Sequence, residues 1–310
     1  MPFSTNLFKL LTLSLSVGHI AAQTVLLTNA DGWATAAVRA QGGALFGAGF
    51  NIQRNAGSKS ATAKPLTKPC EFDSCPAGSP AEGSDPADGR LNFVNSYPVD
   101  AVRYGIKTLS PLYLNSTPDF VVSGVDAGNA LGAAACESGT VGAAAEAAKE
   151  GIPSAAFSGA SISPVYYNDT SASAANLISS SLYGNLSTAL VSALFKSASS
   201  GQPILPAGVT LNVNFGPTSL SSSGKPKGKC ASTSDFKFVF TRIHPAAKHD
   251  KDVETCVSTH LPDETTVLHS GCYATVSVMD AHTKEDVDAK TQSAVLERLT
   301  PSGLMSCFKN

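Results

Sequence analysis

The chain carries little charge imbalance, a single tryptophan and few long apolar runs. Its formal net charge is −2, and Lys and Arg nowhere gather into a stripe. That argues against nucleic acid as a partner. Beyond residue 22 no apolar run is long enough to span a bilayer, so the mature protein is expected to be soluble, with no membrane partner. No internal repeat is visible, and no histidines stand at the i, i+4 spacing of a helical metal pair. His244 and His249 lie five apart around Pro245 and read as loop residues.

The apolar run that does exist is at the start. Lys9 precedes Leu10-Leu11-Thr12-Leu13-Ser14-Leu15, and Ala21-Ala22 supply small residues at a cleavage point. Residues 1–22 are therefore expected to be a secretory signal peptide, leaving residues 23–310 as one α/β domain of an extracellular protein. Seven cysteines fit an oxidising compartment. Cys70 and Cys75 are close enough to close a small loop. Cys230, Cys256, Cys272 and Cys307 are expected to form two bridges in any of three connectivities, with Cys136 left over. Zinc binding is the rival reading, but the spacings are irregular. Three sequons, at Asn115, Asn168 and Asn185, offer glycosylation sites, the first disfavoured by Pro118.

Strand and helix signals alternate along the first two thirds. Thr24–Thr28 is a short apolar strand running into the acidic turn Asn29-Ala30-Asp31-Gly32. Trp33–Gly49 has helical composition, and 24–55 reads as strand, helix, strand. Residues 56–90 are rich in Ser, Ala, Pro and Gly, which suggests a long surface loop pinned by Cys70–Cys75. Pro98 opens a helix over 98–109. Phe120–Gly124 is a buried strand running into the turn Val125-Asp126-Ala127-Gly128. Ser138-Gly139-Thr140 opens an alanine-rich helix through Lys149. A strand at Ile152–Phe157 and a long helix over 173–199, broken or kinked near Gly184, follow. From about 205 to 285, Val209–Phe215, Phe236–Ile243 and Cys272–Val278 alternate as half-exposed strands. A helix over Asp286–Leu299 closes the chain. This pattern predicts a three-layer α/β fold: a mostly parallel sheet with an antiparallel C-terminal extension.

Carboxylates at the carboxyl ends of such strands stand where open α/β sheets bind ligands. The residues around them carry a resemblance. Thr28-Asn29-Ala30-Asp31-Gly32 resembles the Ser/Thr-Asn-Asp-Asp-Gly signature of the survival protein SurE family of phosphatases and nucleotidases. Pro118 to Gly128 looks like its Pro-Asp-x-Val-Val-Ser-Gly-x-Asn-x-Gly, and Ser138-Gly139-Thr140-Val141 with Glu146 looks like its Ser-Gly-Thr-Val…Glu. Pro98-x-Asp100-x-Val102 resembles its Pro-x-Asp-Cys-Val helix start. The Pro69–Pro80 insertion resembles the secreted fungal acid phosphatase branch.

The resemblance implies a Rossmann-like fold, a C-terminal extension used in homo-oligomer contacts, and one divalent cation, magnesium or manganese. The cation would assist removal of phosphate from a small-molecule monoester. Its ligands would be Asp31, Ser60 and Asp126, with Asp31 and Asp126 at the catalytic centre. Asn29, Ser138, Gly139 and Thr140 would hold the phosphate. Two positions depart from the family. Ala30 stands where the family has its first aspartate, and Asp126 where it has asparagine. A second asparagine falls on Ala130.

A methyl group cannot ligate a hard cation, whereas Asp126 adds a carboxylate. The charge is then kept with altered geometry, or the metal is lost. Without metal, two close carboxylates form an acid/base pair. That would make the chain a repurposed enzyme acting on a phosphate-free small molecule in fungal secondary metabolism. The remaining alternative is an inactive pseudophosphatase. Glu137 is a candidate third carboxylate or an ordinary helix-start residue, and Trp33 a candidate stacking platform or a packing residue. Cys136 is read as inert, because no histidine lies near it in sequence.

Overall fold

The computed structural model describes residues 23–57, 63–198 and 203–309. The segment expected to be a signal peptide, residues 1–22, and Ser60 lie outside the described residues. Nine strands form one sheet: β1 (Thr24–Thr28), β2 (Asn51–Gly57), β3 (Glu82–Asp85), β4 (Asp88–Val94), β5 (Phe120–Ala127), β6 (Ser154–Gly159), β7 (Val209–Phe215), β8 (Lys237–Thr241) and β9 (Tyr273–Asp280). Their order is β3-β4-β2-β1-β5-β6-β7-β9-β8. The run from β4 to β7 is parallel. β3 pairs antiparallel with β4 at one edge, and β9 pairs antiparallel with β7 near the other. β8 then pairs parallel with β9.

Among the described residues the α-helices are α1 (Ala36–Gly47), α2 (Pro98–Tyr104), α3 (Ser110–Leu114), α4 (Ala133–Glu137), α5 (Gly139–Lys149), α6 (Ala174–Ala198), α7 (Glu264–Leu268) and α8 (Ala289–Leu299). Every residue of β1 is buried, because helices cover both faces of the central strands. The period of two assigns each side chain to a layer. Val25, Leu27, Phe120 and Val122 pack with Val38 and Leu45 of α1 and Leu186, Leu190 and Leu194 of α6. Leu26 and Val121 face the opposite way, onto Val102 of α2 and Ala143 and Ala147 of α5. The small side chains of α5 let that helix lie close to the sheet.

Three expectations need correction. The 56–90 segment is not one long loop, because β3 and the first three residues of β4 lie inside it and form an edge hairpin. Its polar composition suits an edge, where one face meets water. The long helix α6 does not break at Gly184. A Cβ there would lie 3.2 Å from the backbone of Ala40 and Gln41, so the glycine permits close crossing of α1 and α6. β8 and β9 are buried except at their ends, and β7, with β6 and β9 on its two sides, is buried throughout, although all three alternate as half-exposed strands. The polar residues of β7 face inward and are hydrogen-bonded there.

The Cys70–Cys75 bridge is present. Of the three connectivities, the chain uses Cys230–Cys272 and Cys256–Cys307, with Cα separations of 5.1 and 5.7 Å. Cys136 is unbridged. Among the described residues no helix is long and apolar enough to cross a membrane.

Candidate active site

The chain leaves β1 for β2 on one side and later returns to build β5 on the other side of β1. Between these two strands the winding direction switches, which opens a crevice at their carboxyl ends. The acidic turn follows β1. Gly32 there has φ +95°, a conformation that favours glycine. Asn29 is fully buried, and its Nδ2 donates to the Gly32 carbonyl at 3.0 Å. Thr35 then caps α1, its hydroxyl accepting from the Val38 amide.

On the opposite side, β5 carries a bulge. Ser123 faces Ala156, and the next pairing is Asp126 with Ser158. Such an irregularity re-aims the side chains that follow it. Gly124 at the bulge has φ +103°, and a Cβ there would lie 2.1 Å from the Phe157 carbonyl oxygen. Gly124→Ala is therefore expected to destabilise the fold by about 3 kcal/mol or more, measured by urea unfolding. A cost below about 1 kcal/mol would contradict this account of the bulge.

The two turns clasp one another. The Ala30 amide donates to Asp126 Oδ2 at 2.8 Å, and the Ala127 amide donates to Asp31 Oδ2 at 3.0 Å. Each carboxylate is thus fixed by backbone next to the other. The Thr140 hydroxyl also donates to Asp126 Oδ2, tying β5 to the first turn of α5. Ser138 caps α5, its Oγ accepting from the Val141 amide at 3.3 Å. Above this arrangement lies a cavity of about 320 Å³. Ala30, Asp31, Asp126, Asn129, Glu137 and Ser158 are in its wall, with Ser138 to Thr140 at the helix start.

Asp126 is only 5% exposed. Burial, and then the charge of Asp31, push its carboxyl up to about 7, against the pull of hydrogen bonds from Thr140, Ala30 and Asn29. Two buried acceptor oxygens here have no hydrogen-bond donor, Asp126 Oδ1 and Asn29 Oδ1. Unsatisfied buried acceptors beside paired carboxylates suit a hard cation, which takes oxygen ligands and commonly uses one or two carboxylates. No cluster of three or more His, Cys, Asp or Glu offers a metal site among the described residues. A cation here would therefore rest on two carboxylates and neutral oxygens.

Of the residues singled out in the sequence, the fold brings Asp31, Asp126, Ser138, Gly139 and Thr140 together. Asn29 lies beneath the cavity rather than in its wall. Asp126 belongs to β5 itself, not to the turn after it. The Thr140 hydroxyl is engaged by Asp126. Trp33 is 8% exposed and packs with Leu66, Cys75 and Phe93, so it is a packing residue. Glu137 is in the wall. Asn129 and Ser158 were missed, since neither carries a charge or a spacing that marks it. Glu264 and Asn212, which brace the wall from behind, were missed too. The alternating asparagines within the apolar strand Val209–Phe215 were the available signal.

The family model for survival protein SurE matches residues 25–240. The chain belongs to the survival protein SurE family. It is 33% identical to an acid phosphatase of Yarrowia lipolytica, over 91% of this chain and 85% of that protein. It is also 33% identical to a 5'-nucleotidase SurE of Lawsonia intracellularis, over 43% of this chain and 50% of that protein. The SurE protein of Aquifex aeolicus shares the fold, with a TM-score of 0.53 at 20% identity over 84% of this chain and 94% of that one. The segments that resemble the SurE signatures are the ones that clasp here, the turn after β1 with alanine at position 30 and the end of β5 with aspartate at position 126.

Proposed function

We propose that this SurE-family chain is a phosphomonoesterase whose cation site has moved one carboxylate from the β1 turn to β5. The observation that carries the reading is the reciprocal clasp, which sets Asp31 and Asp126 side by side with Asp126 Oδ1 unpartnered. Asp31, Asp126 and Asn29 Oδ1 would hold the cation, magnesium or manganese, with Ser60 as a further ligand. A bound divalent cation would polarise the phosphoryl group. The start of α5 would receive the phosphate oxygens, because its backbone amides and dipole favour an anion. Thr140 would keep Asp126 oriented.

The test is hydrolysis of a chromogenic phosphate ester by purified protein, with Mg²⁺ or Mn²⁺ and then with excess chelator. Turnover that is lost in chelator and restored by either metal supports the proposal. No turnover across both metals sinks it. The second reading, metal-independent chemistry on a phosphate-free small molecule, draws on the raised Asp126 carboxyl beside Asp31. It predicts activity that survives chelation and falls on Asp126→Ala. Turnover of nothing would leave a pseudophosphatase.

Export belongs to the same proposal. Residues 1–22 would be removed, and the bridges at Cys70–Cys75, Cys230–Cys272 and Cys256–Cys307 suit an oxidising compartment. A secreted product whose N-terminus begins near Gln23 is the expected result, and a cell-retained protein starting at Met1 would refute it. Self-association through the C-terminal segment is the partner expectation, and gel filtration with light scattering reads it.

A further inference from the structure

Gly128, Asn129 and Ala130 line one wall of the cavity, and the loop that carries them, Gly128–Gly132, is held largely from behind. The Ala130 amide donates to Asn214 Oδ1 at 2.8 Å, and its carbonyl accepts from Asn212 Nδ2 at 2.8 Å and Asn214 Nδ2 at 3.1 Å. Asn129 Nδ2 donates to the Phe215 carbonyl at 3.1 Å. The far end of the loop rests on α7. The Gly132 amide donates to Glu264 Oε1 at 2.9 Å. Glu264 Oε2 accepts from Asn212 Nδ2 at 3.0 Å and from Ser277 Oγ at 3.0 Å. Glu264 is 0% exposed, and it connects the loop to both β7 and β9.

A carboxylate is costly to bury, so a buried one is retained where its hydrogen bonds do something an apolar side chain cannot. Here both oxygens are engaged, one by the wall and one by the strands behind it. Gly132 has φ +53° and no side chain of its own to anchor that end of the loop. Asn212 gains its orientation toward Ala130 from Glu264.

We infer that Glu264, from the C-terminal part of the chain, is the positioning residue that holds the Gly128–Gly132 wall of the cavity in its working place. The inference rests on the phosphomonoesterase reading for its functional consequence. Glu264 touches no reacting atom. It acts through Gly132 and Asn212. Removing it leaves the Gly132 amide and one N–H of Asn212 without a buried partner, Asn212 keeping only its bond to the Ala130 carbonyl, and the loop must move to hydrate them.

Glu264→Ala, Glu264→Gln and Ser277→Ala are compared with the parent chain. Glutamine keeps an oxygen for the Gly132 amide and places an NH₂ that Ser277 Oγ can accept, losing only the bond from Asn212 Nδ2 to Oε2. Glu264→Ala is expected to lower kcat/KM for the chromogenic ester by about 10- to 100-fold, the range for outer supports of an active site. The loss should appear chiefly in KM, because the wall shapes the cavity without carrying Asp31 or Asp126. Glu264→Gln should restore kcat/KM to within about 5-fold, and Ser277→Ala should fall between the two. Hydrogen exchange is the second readout. The amides of 128–132 should exchange faster in Glu264→Ala while those of α8 do not. Exchange that is unchanged at the loop, or raised equally throughout the chain, overturns the inference. If the parent chain hydrolyses no ester, the functional reading fails, and the exchange result still decides whether Glu264 holds the wall. Should Glu264→Ala not fold, the same loop-specific exchange in Ser277→Ala decides it.

Discussion

Asp126→Asn is expected to lower kcat/KM for a phosphate ester by about 100-fold or more, and adding Ala30→Asp to recover most of that loss. Outer supports of a metal site cost about 10- to 100-fold when removed, so a direct carboxylate ligand should cost at least the upper figure. Asparagine at 126 keeps one oxygen for the Ala30 amide and the Thr140 hydroxyl, so the clasp survives while one charge is lost. Aspartate at 30 returns that charge on the other turn. The Ala30 methyl lies beside the start of α5, 3.2 Å from where a Gly139 Cβ would be. A carboxylate there is favoured by the helix dipole. Under the proposed cation site Asp126 supplies the second carboxylate, so Ala30→Asp by itself should change activity little. Calorimetric titration with Mn²⁺ should follow the same order as kcat/KM. A double variant no better than Asp126→Asn would show that position 126 is not standing in for position 30.

Folding stability should fall as pH rises from about 4.5 to about 8. Burial, opposed by hydrogen bonds from Gly132, Ser277 and Asn212, pushes the Glu264 carboxyl up to about 8 from an ordinary value of 4.5. Below the lower value both native and unfolded chains hold the proton, and the stability contribution is complete. Between the two values the unfolded chain has released its proton while the native chain keeps it. The native state binds more protons there, so stability declines with pH, by up to about 1.4 kcal/mol per pH unit from this group. Above about 8 the decline ends. Glu264→Gln removes this proton and should make that part of the curve shallower, leaving the slope from the Asp126 carboxyl, itself raised to about 7. Urea midpoints at pH 5, 6.5 and 8, with disulfides oxidised and chelator present, measure it. An equal slope in both proteins would refute the role given to Glu264.

The acidic turn after β1 was legible because Thr24–Thr28 is apolar throughout and ends in residues that break a strand. The start of α5 was legible because Ser138 is a capping residue ahead of a run of helix formers. The partner of the acidic turn was legible only through the resemblance of Pro118–Gly128 to a family signature. Its setting was read imperfectly, since a bulge carries β5 on through Asp126. A bulge is a property of strand pairing, and no local pattern at Gly124 announces the carbonyl of Phe157 above it. Glu264 was invisible for a related reason. A glutamate near the start of a helix reads as a solvated residue favoured by the dipole. Only its placement under Gly132 makes it a buried acceptor.

The sequence by itself determined the fold class and the acidic turn after β1, because these follow from period, composition and short contiguous signals, and it pointed to Asp126 through the resemblance of Pro118–Gly128. The tertiary structure decided that Asp31 and Asp126 clasp each other's backbone, that one oxygen of Asp126 is left without a donor, and which cysteines pair. It also decided that the cavity wall hangs from Glu264, far along the chain. These are relations between segments that only the strand order brings into contact, and the free energy of each hydrogen bond exists only once both partners are buried together.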